Sequence, residues 1–265
     1  MLLTLITGLS GAGEAIPFII GVAPHTSARV IIEMYQPLRR HLERVLKLPV
    51  EVQTAPDFTE FARRAINQEY DLAITTGHQA RLYQTDAGYL PLLTYAADFK
   101  AVALVGKNSK IETPADLEGK TILGLSPASL VTLWGQHWLK KQNLSDVTVH
   151  YVSAADSASR QVLAGEASLA FTSLANYQKL PLVQREQLRV LAESEAMPGR
   201  IYMLNKRWAN TYESIEKALW SFAASPEGKD YITQNKLEGY RKLRPRELEA
   251  MDPYVAETRQ IVRGK

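Results

Sequence analysis

The feature of this sequence that most constrains its fold is a repeated alternation of short apolar runs with longer amphipathic stretches. Continuous apolar runs such as 17–23 (PFIIGVA) and 70–75 (YDLAIT) are typical of strands that are buried on both faces of a sheet. Each run is followed by a polar turn and then by apolar residues at helical spacing. Strand and helix in this order predict an α/β protein whose sheets are mainly parallel and flanked by helices.

The alternation runs through the chain twice, which predicts two lobes. A chain of 265 residues is long enough to bury two cores. Beyond Trp208 the pattern looks wholly helical, and we expect these helices to return to the first lobe. The expected bounds are 16–97 plus 201–265 for lobe 1 and 98–200 for lobe 2, with crossing segments near 97–100 and 199–201.

The N-terminal segment 1–15 (MLLTLITGLSGAGEA) is similar to a secretory signal peptide. It has an apolar stretch followed by small residues, although a positively charged start is missing. It is therefore interpreted as a truncated or atypical signal, the alternative being a mature first strand with an extension. The signal reading predicts a soluble, exported protein.

Composition and residue spacing exclude several classes of function. The chain has no cysteine, which removes disulfides, thiolate metal sites and cysteine nucleophiles. Its net charge of +3 is spread along the sequence, and no basic run resembles a nucleic-acid footprint. The histidines show no metal-ligand spacing, and no nucleotide-binding loop or nucleophile motif is present. We expect neither a metal nor another cofactor.

Segment 119–141 (GKTILGLSPASLVTLWGQHWLKK) predicts a strand, a turn and a helix that begins near Ser129. The helix start and the hydroxyls of Ser126 and Ser129 would suit an anion, because backbone N–H groups and the positive end of the helix dipole converge there. An ordinary strand–helix corner with a serine cap explains the same residues.

Two further polar turns follow predicted parallel strands, and ligands collect at the carboxyl ends of such strands. His25, Thr26 and Ser27 follow the first strand, and Thr75 and Thr76 follow the third. They are candidate ligand contacts on one edge of the sheet. Threonines that close a strand and polar residues on a surface turn are the structural alternative.

Six short motifs occur in an order and spacing that match a known family. They are YQPL at 35–38, APDF at 55–58, DLA at 71–73, DLEGK at 116–120, SPAS at 126–129 and MPG at 197–199. The set resembles the phosphate-, phosphite- and phosphonate-binding periplasmic proteins of ABC transporters, from about residue 17 to the C-terminus. The resemblance implies a monomeric protein with a two-lobed type II periplasmic binding fold, which closes on a small anion and presents it to a membrane permease.

The same fold leaves two other functions open. A periplasmic sensor would hand its liganded state to a histidine kinase or a chemoreceptor. The other function is that of an enzyme, because porphobilinogen deaminase and the thiamine-pyrimidine synthases share this architecture. The former needs a cysteine, which this chain lacks, and the latter need a catalytic set of histidine and lysine residues that is not found here.

Departures from the family pattern bear on the ligand. Relatives that bind aminophosphonates hold the ammonium group with carboxylates, and the aligned positions here are Ala175 and Arg200. This exchange favours a plain oxyanion, with Arg200 as a bidentate partner, over a zwitterion; a solvated arginine is the alternative. Asp156 stands where the family has a histidine and could take a ligand proton, or it could cap the next helix together with Ser157.

Overall fold

The computed structural model describes residues 16–144, 147–152 and 154–264 of the chain. The predicted signal segment 1–15 lies outside the described residues. The strands are β1 Phe18–Val22, β2 Val50–Gln53, β3 Leu72–Thr76, β4 Leu90–Tyr95, β5 Ala101–Gly106, β6 Ile122–Gly124, β7 Val149–Tyr151, β8 Leu169–Ser173, β9 Leu188–Glu193, β10 Arg200–Leu204 and β11 Tyr240–Arg241. The helices are α1 Ala28–Leu46, α2 Phe58–Ile66, α3 Gly77–Asp86, α4 Leu130–Lys141, α5 Ala155–Leu163, α6 Leu174–Lys179, α7 Leu182–Arg185, α8 Tyr212–Ala224, α9 Pro226–Gln234 and α10 Asp252–Val262. Short 3-10 turns occupy Pro114–Leu117, Lys206–Thr211 and Glu249–Met251.

The strands form two mixed sheets. The first sheet has the order β11-β4-β10-β3-β1-β2, in which β1 pairs in parallel with β2 and β3, and β10 runs antiparallel to β3 and β4. The second sheet has the order β7-β6-β8-β5-β9, in which β6 pairs in parallel with β7 and β8, and β5 runs antiparallel to β8 and β9. Each sheet therefore has a parallel centre, built from strand–helix–strand units, and antiparallel strands beside it.

Helices cover both faces of each sheet because successive side chains of a strand point to opposite sides. On the first sheet, Phe18, Ile20 and Val22 pack with α1, α8 and α9, whereas Ala73 of β3 packs with α2, α3 and α10. On the second sheet, α4 covers one face and α5 with α6 covers the other. The apolar runs predicted to be strands buried on both faces therefore lie in sheets that are each covered by helices on both sides.

Two segments cross between the sheets, as the sequence predicts. Residues 96–100 connect β4 to β5, and residues 194–199 connect β9 to β10. They touch through an antiparallel bridge in which the Met197 amide donates to the Phe99 carbonyl over 2.8 Å. The second crossing lies earlier than predicted, because Arg200 and Ile201 already belong to β10.

Beyond Trp208 the described chain consists of helices joined by turns and loops, together with the strand β11, which the sequence prediction missed. Tyr240 pairs with Tyr95, and Arg241 with Thr94, at the edge of the first sheet. A strand of two residues has no periodicity from which it could be recognised. Among the described residues, no helix is long and apolar enough to cross a membrane.

Candidate functional site

A cavity of about 70 Å³ lies where strands of both sheets end, and we call it the central cavity. About 10–15 Å³ of such volume suffices for one water molecule, so the space fits a few waters or one small ion. Its lining comprises Ala23, His25, Phe58, Ile74, Thr75, Thr76, Phe99, Leu125, Ser129, Leu130, Val131, Ser173, Ala175, Asn176 and Arg200.

Two larger spaces adjoin it, and His25 lines all three. The side pocket, of about 330 Å³, is lined by residues that include Phe58, Leu125 and Tyr151. The outer groove, of about 650 Å³, is lined by residues that include Asn176, Lys179 and Tyr231. An ion in the central cavity could therefore carry a substituent that extends toward either space.

The residues predicted as ligand contacts fall into three groups. Those lining the central cavity are His25, Thr75, Thr76, Ser129 and Arg200. Ser126 lines the side pocket and Thr26 the outer groove. Ser27, Asp156 and Ser157 are not among the described residues that line these spaces; Asp156 pairs with Arg160 over 2.9 Å on the surface.

Ser129 precedes α4 at the helix N-terminus, where the sequence placed it. Its hydroxyl makes no capping hydrogen bond, unlike Asp57, whose Oδ1 accepts from the amides of Thr59 and Glu60 at 2.8 and 2.9 Å. Ser129 is only 2% exposed. A buried hydroxyl and the first amides of α4 thus face the cavity together, which suits an anion.

Thr75 has a structural partner for its hydroxyl proton. Its Oγ1 donates to Oε1 of Gln79 over 2.7 Å, and the hydroxyl of Tyr83 donates to the same oxygen over 3.1 Å. The Gln79 amide nitrogen in turn donates to the Phe58 carbonyl over 2.9 Å. Thr75 therefore presents lone pairs, and not a proton, to the cavity.

Thr76 takes part in a hydrogen-bonded bridge across the site. Nε2 of His78 lies 3.0 Å from the carbonyl oxygen of Ala128, and a carbonyl can only accept, so Nε2 carries the proton. Nδ1 of His78 then accepts from the Thr76 hydroxyl over 3.2 Å. Burial lowers the pKa of His78 to about 4, which keeps the ring neutral.

Arg200 begins β10, paired in register with Thr76 of β3. None of the ion pairs among the described residues includes it. Its Nη1 is buried without a hydrogen-bond partner in that part of the chain, and its Cζ lies 5.9 Å from the centroid of the Tyr95 ring. A guanidinium is therefore held at the cavity with no carboxylate to balance its charge.

A cluster of buried tyrosines surrounds the guanidinium on the side of the first sheet. The hydroxyl of Tyr95 lies 2.6 Å from those of both Tyr202 and Tyr231, and Tyr202 lies 2.8 Å from Tyr240. Burial raises the pKa of each of these four phenols, which keeps them neutral. Burial lowers the pKa of Arg200 and the phenols of Tyr35, Tyr95 and Tyr231 raise it. Since these phenols are neutral near pH 7, they supply no opposite charge, and the guanidinium remains a cation.

His25 faces Arg200 from the loop after β1. Its Nδ1 lies 2.9 Å from the Ala23 carbonyl. Burial, and then the charges of Arg200 and Lys179, hold the pKa of His25 well below its usual range. The imidazole is therefore neutral at pH 7.

Sequence reasoning missed the corner between β8 and α6. Ser173 caps α6 by accepting from the Asn176 amide over 3.1 Å, and both residues line the central cavity. The same rule that selected Ser129, a polar residue at the end of a predicted parallel strand, applies to Ser173. The aromatic walls, Phe58 and Phe99, carried no comparable signal because they come from an unrelated helix and a crossing segment.

Residues 20–248 match the family model described as "ABC transporter, phosphonate, periplasmic substrate-binding protein". No curated protein sequence matches the chain. Several solved structures have a similar fold. XAC2383 from Xanthomonas citri bound to ATP is 17% identical, with 93% of this chain and 98% of that chain covered and a TM-score of 0.77.

Two further structures come from proteins named for phosphonate. PhnD1 from Prochlorococcus marinus in complex with methylphosphonate is 11% identical, with 92% and 98% of the two chains covered and a TM-score of 0.78. A binding protein component of an ABC phosphonate transporter from Pseudomonas aeruginosa, PA3383, is 15% identical, with 95% and 100% covered and a TM-score of 0.74. At these identities the likeness shows the fold, and it confirms the predicted two-lobed type II periplasmic binding architecture.

Proposed function

The chain belongs to the phosphonate-type periplasmic substrate-binding proteins of ABC transporters, and we propose that it binds one small oxyanion in the central cavity. It is thus a solute-binding protein with a membrane permease as partner. The lobes that would close on the ligand have the bounds expected from the sequence, 16–97 with 201–265 and 98–200, except that Arg200 belongs with the first sheet as the first residue of β10. The exported chain would act as a monomer. The proposed ligand is a phosphonate-, phosphite- or phosphate-like anion.

The observation that carries this proposal is the unbalanced charge of Arg200. A charge removed from water is costly unless an opposite charge compensates it. The described lining of the central cavity contains no carboxylate, and it includes Ala175, which by the family resemblance takes the place of a carboxylate that holds an ammonium group. An oxyanion would supply the missing charge and could accept two parallel hydrogen bonds from the guanidinium.

Further donors support an anion in the same place. The hydroxyl of Ser129 and the first amides of α4 face the cavity from the second sheet, opposite Arg200. Ser173 uses its oxygen as a helix cap, which leaves its proton for a ligand. A micromolar receptor needs about 8 kcal/mol, and hydrogen bonds to charged groups contribute about 1.5–3 kcal/mol each, so several of these donors must act together.

We infer that the site binds its ligand and does not transform it. The groups that line the ligand position are a guanidinium, hydroxyls, amides and the imidazole of His25. The hydroxyl of Thr75 is paired with the side-chain amide of Gln79 and not with that imidazole. The family match to transporter subunits favours import over signalling to a kinase.

Isothermal titration calorimetry and thermal unfolding of residues 16–265 test the proposal. The panel would be phosphate, phosphite, methylphosphonate, aminoethylphosphonate, sulfate and acetate. A ligand at 100 times its Kd stabilises the fold by about 2.7 kcal/mol. We expect one or more oxyanions to bind the native protein, and binding to be lost in Arg200→Gln.

Arg160→Gln is the matched control, because Arg160 lies on the surface with its side chain 62% exposed. It should bind the same anions as the native protein. The proposal is wrong if no anion of the panel binds, or if Arg200→Gln binds as tightly as the control.

A further inference from the structure

The tautomer of His25 is fixed by the loop that carries it. Its Nδ1 lies 2.9 Å from the carbonyl oxygen of Ala23, which can only accept, so Nδ1 carries the proton. In a neutral imidazole the other nitrogen is then a pure acceptor. Nε2 of His25 therefore presents a lone pair.

The surroundings keep the ring in this neutral form. Arg200 on β10 and Lys179 at the end of α6 both act on His25, and protonation would place a third cation beside them. The charged residues that line the neighbouring spaces are Glu33, Asp57, Glu227 and Asp230, with Arg40 beside them. The charges of these residues are not among those that shift the pKa of His25. Asp57 caps α2 with its Oδ1.

Nε2 of His25 has no hydrogen-bond partner in the described part of the chain, yet it is not sealed from the adjoining space. The ring lines the central cavity together with Arg200 and Ser129, which are donors. A bare ligand oxygen placed against a lone pair is repelled, whereas an oxygen that carries hydrogen donates to it.

We propose that His25 is a specificity-determining residue that accepts a hydrogen bond from the ligand, so that the site selects a protonated oxyanion over one without a proton. The favoured class is a hydrogen phosphonate or hydrogen phosphate monoanion, and the disfavoured class is sulfate or a sulfonate. This inference rests on the proposed oxyanion site. It adds that a proton on the ligand is part of what is recognised.

Ligand chemistry makes the distinction sharp near neutral pH. Phosphoryl groups of this kind lose their second proton at about pH 6, so that the monoanion is abundant or easily formed. A sulfonate has no proton to offer under the same conditions. Methylphosphonate and methanesulfonate differ little in shape, which makes them a matched pair of probes.

The first test is calorimetry of both probes at pH 6 with the native protein, His25→Gln and His150→Gln. His150 lies exposed on β7 and serves as the histidine control. An acceptor that the ligand covers without donating to it costs about ten- to a hundredfold in binding, so the native protein and the control should prefer methylphosphonate by that factor. In His25→Gln the amide can turn either a donor or an acceptor toward the ligand, and the preference should fall at least about tenfold.

A second test needs no variant. At pH 8 methylphosphonate is largely a dianion, and its binding to the native protein should take up about one proton. Titrations in two buffers of different ionisation enthalpy measure this number. Uptake of no proton overturns the inference, as does equal affinity for both probes or an unchanged preference in His25→Gln. If neither probe nor any other anion binds the native protein, the oxyanion site itself is wrong.

Discussion

The imidazole of His78 donates from Nε2 to the carbonyl oxygen of Ala128 over 3.0 Å and thereby joins the two sides of the site. His78 lies in the first turn of α3, beside the first sheet, and Ala128 lies in the turn that leads into α4. Ala128 packs among residues of the first sheet and its helices, and His78 is fully buried. The bond holds the beginnings of two helices against each other, and the residues that precede these helices, Thr76 and Ser129, line the central cavity.

The burial of His78 predicts a dependence of stability on pH. Its pKa is lowered from about 6.5 in the unfolded chain to about 4 in the folded protein, so the unfolded state binds more protons between these values. The free energy of unfolding therefore falls as the pH is lowered through this window, and His78 alone contributes a loss of about 2 kcal/mol between pH 7.5 and pH 5. His25 and His41 add to it, because burial lowers their pKa values too. Urea unfolding at both pH values should show this loss.

The variant His78→Gln removes the titrating group and should lose about 2 kcal/mol less over the same interval. The other histidines are present in both proteins, so the difference isolates His78. His150→Gln should behave as the native protein. An equal loss in His78→Gln would mean that His78 does not titrate in this way.

Gly77, the first residue of α3, packs closely against Pro198, which lies two residues before Arg200. A Cβ atom at Gly77 would lie 2.8 Å from Cβ and 2.9 Å from the carbonyl oxygen of Pro198, which accepts from the Gly77 amide over 3.2 Å. Gly77→Ala should therefore destabilise the protein by about 1–3 kcal/mol. Because Pro198 stands two residues before Arg200, anion binding should weaken as well. Chemical unfolding and calorimetry measure the two effects.

Gly106→Ala is the control for this prediction. A Cβ atom there meets only the Cβ of Ser109, at 3.9 Å, so stability and binding should stay close to native. If both glycine variants have the same stability and affinity, the contact with Pro198 is not rigid.

The sequence was sufficient to predict the positions of site residues where a local rule applied. Ser129 follows an apolar strand and precedes a helical pattern, and the structure places it at the N-terminus of α4. Thr75 and Thr76 likewise lie at the end of β3. Their hydroxyl protons are nevertheless directed to Gln79 and His78, and such choices depend on rotamers and on packing from distant elements.

Arg200 shows the other limit of sequence reasoning. The strand that begins near Arg200 can be predicted from the local sequence. The burial of Arg200 against the tyrosine cluster cannot, because it depends on the insertion of β10 between β3 and β4. That insertion places residues that are about a hundred positions apart in the chain next to each other. The division of the chain into lobes at the stated residues and the contacts made by the ligand stay predictions.

Ser129 and Asp57 each precede a helix, but we expect their replacement by alanine to have opposite consequences for stability and binding. The Ser129 hydroxyl makes no capping bond, so Ser129→Ala should change the free energy of unfolding by less than about 0.5 kcal/mol. It should weaken binding of an oxyanion about tenfold or more, because a charge-assisted hydrogen bond is lost. Asp57→Ala removes two capping bonds and should cost about 0.5–2 kcal/mol of stability.

Thermal unfolding without ligand and calorimetry with the anion identified by the panel separate the two effects. A loss of stability in Ser129→Ala comparable to that of Asp57→Ala, with unchanged affinity, would make Ser129 a structural cap.

Because the charge of Arg200 has no carboxylate partner, we expect the binding site to lower the stability of the ligand-free protein. A buried charge without a carboxylate partner is desolvated, and apolar groups of similar volume in such positions are often neutral or stabilising by about 1–4 kcal/mol. Arg200→Met should therefore leave the free energy of unfolding unchanged or raise it, while anion binding is lost. Urea unfolding in a buffer free of oxyanions is the measurement, because a bound anion would mask the effect. Arg160→Met, on the exposed surface, should stay within about 0.5 kcal/mol of native and keep its affinity. A clear loss of stability in Arg200→Met would instead show that the contacts of the guanidinium with the tyrosines hold the fold together.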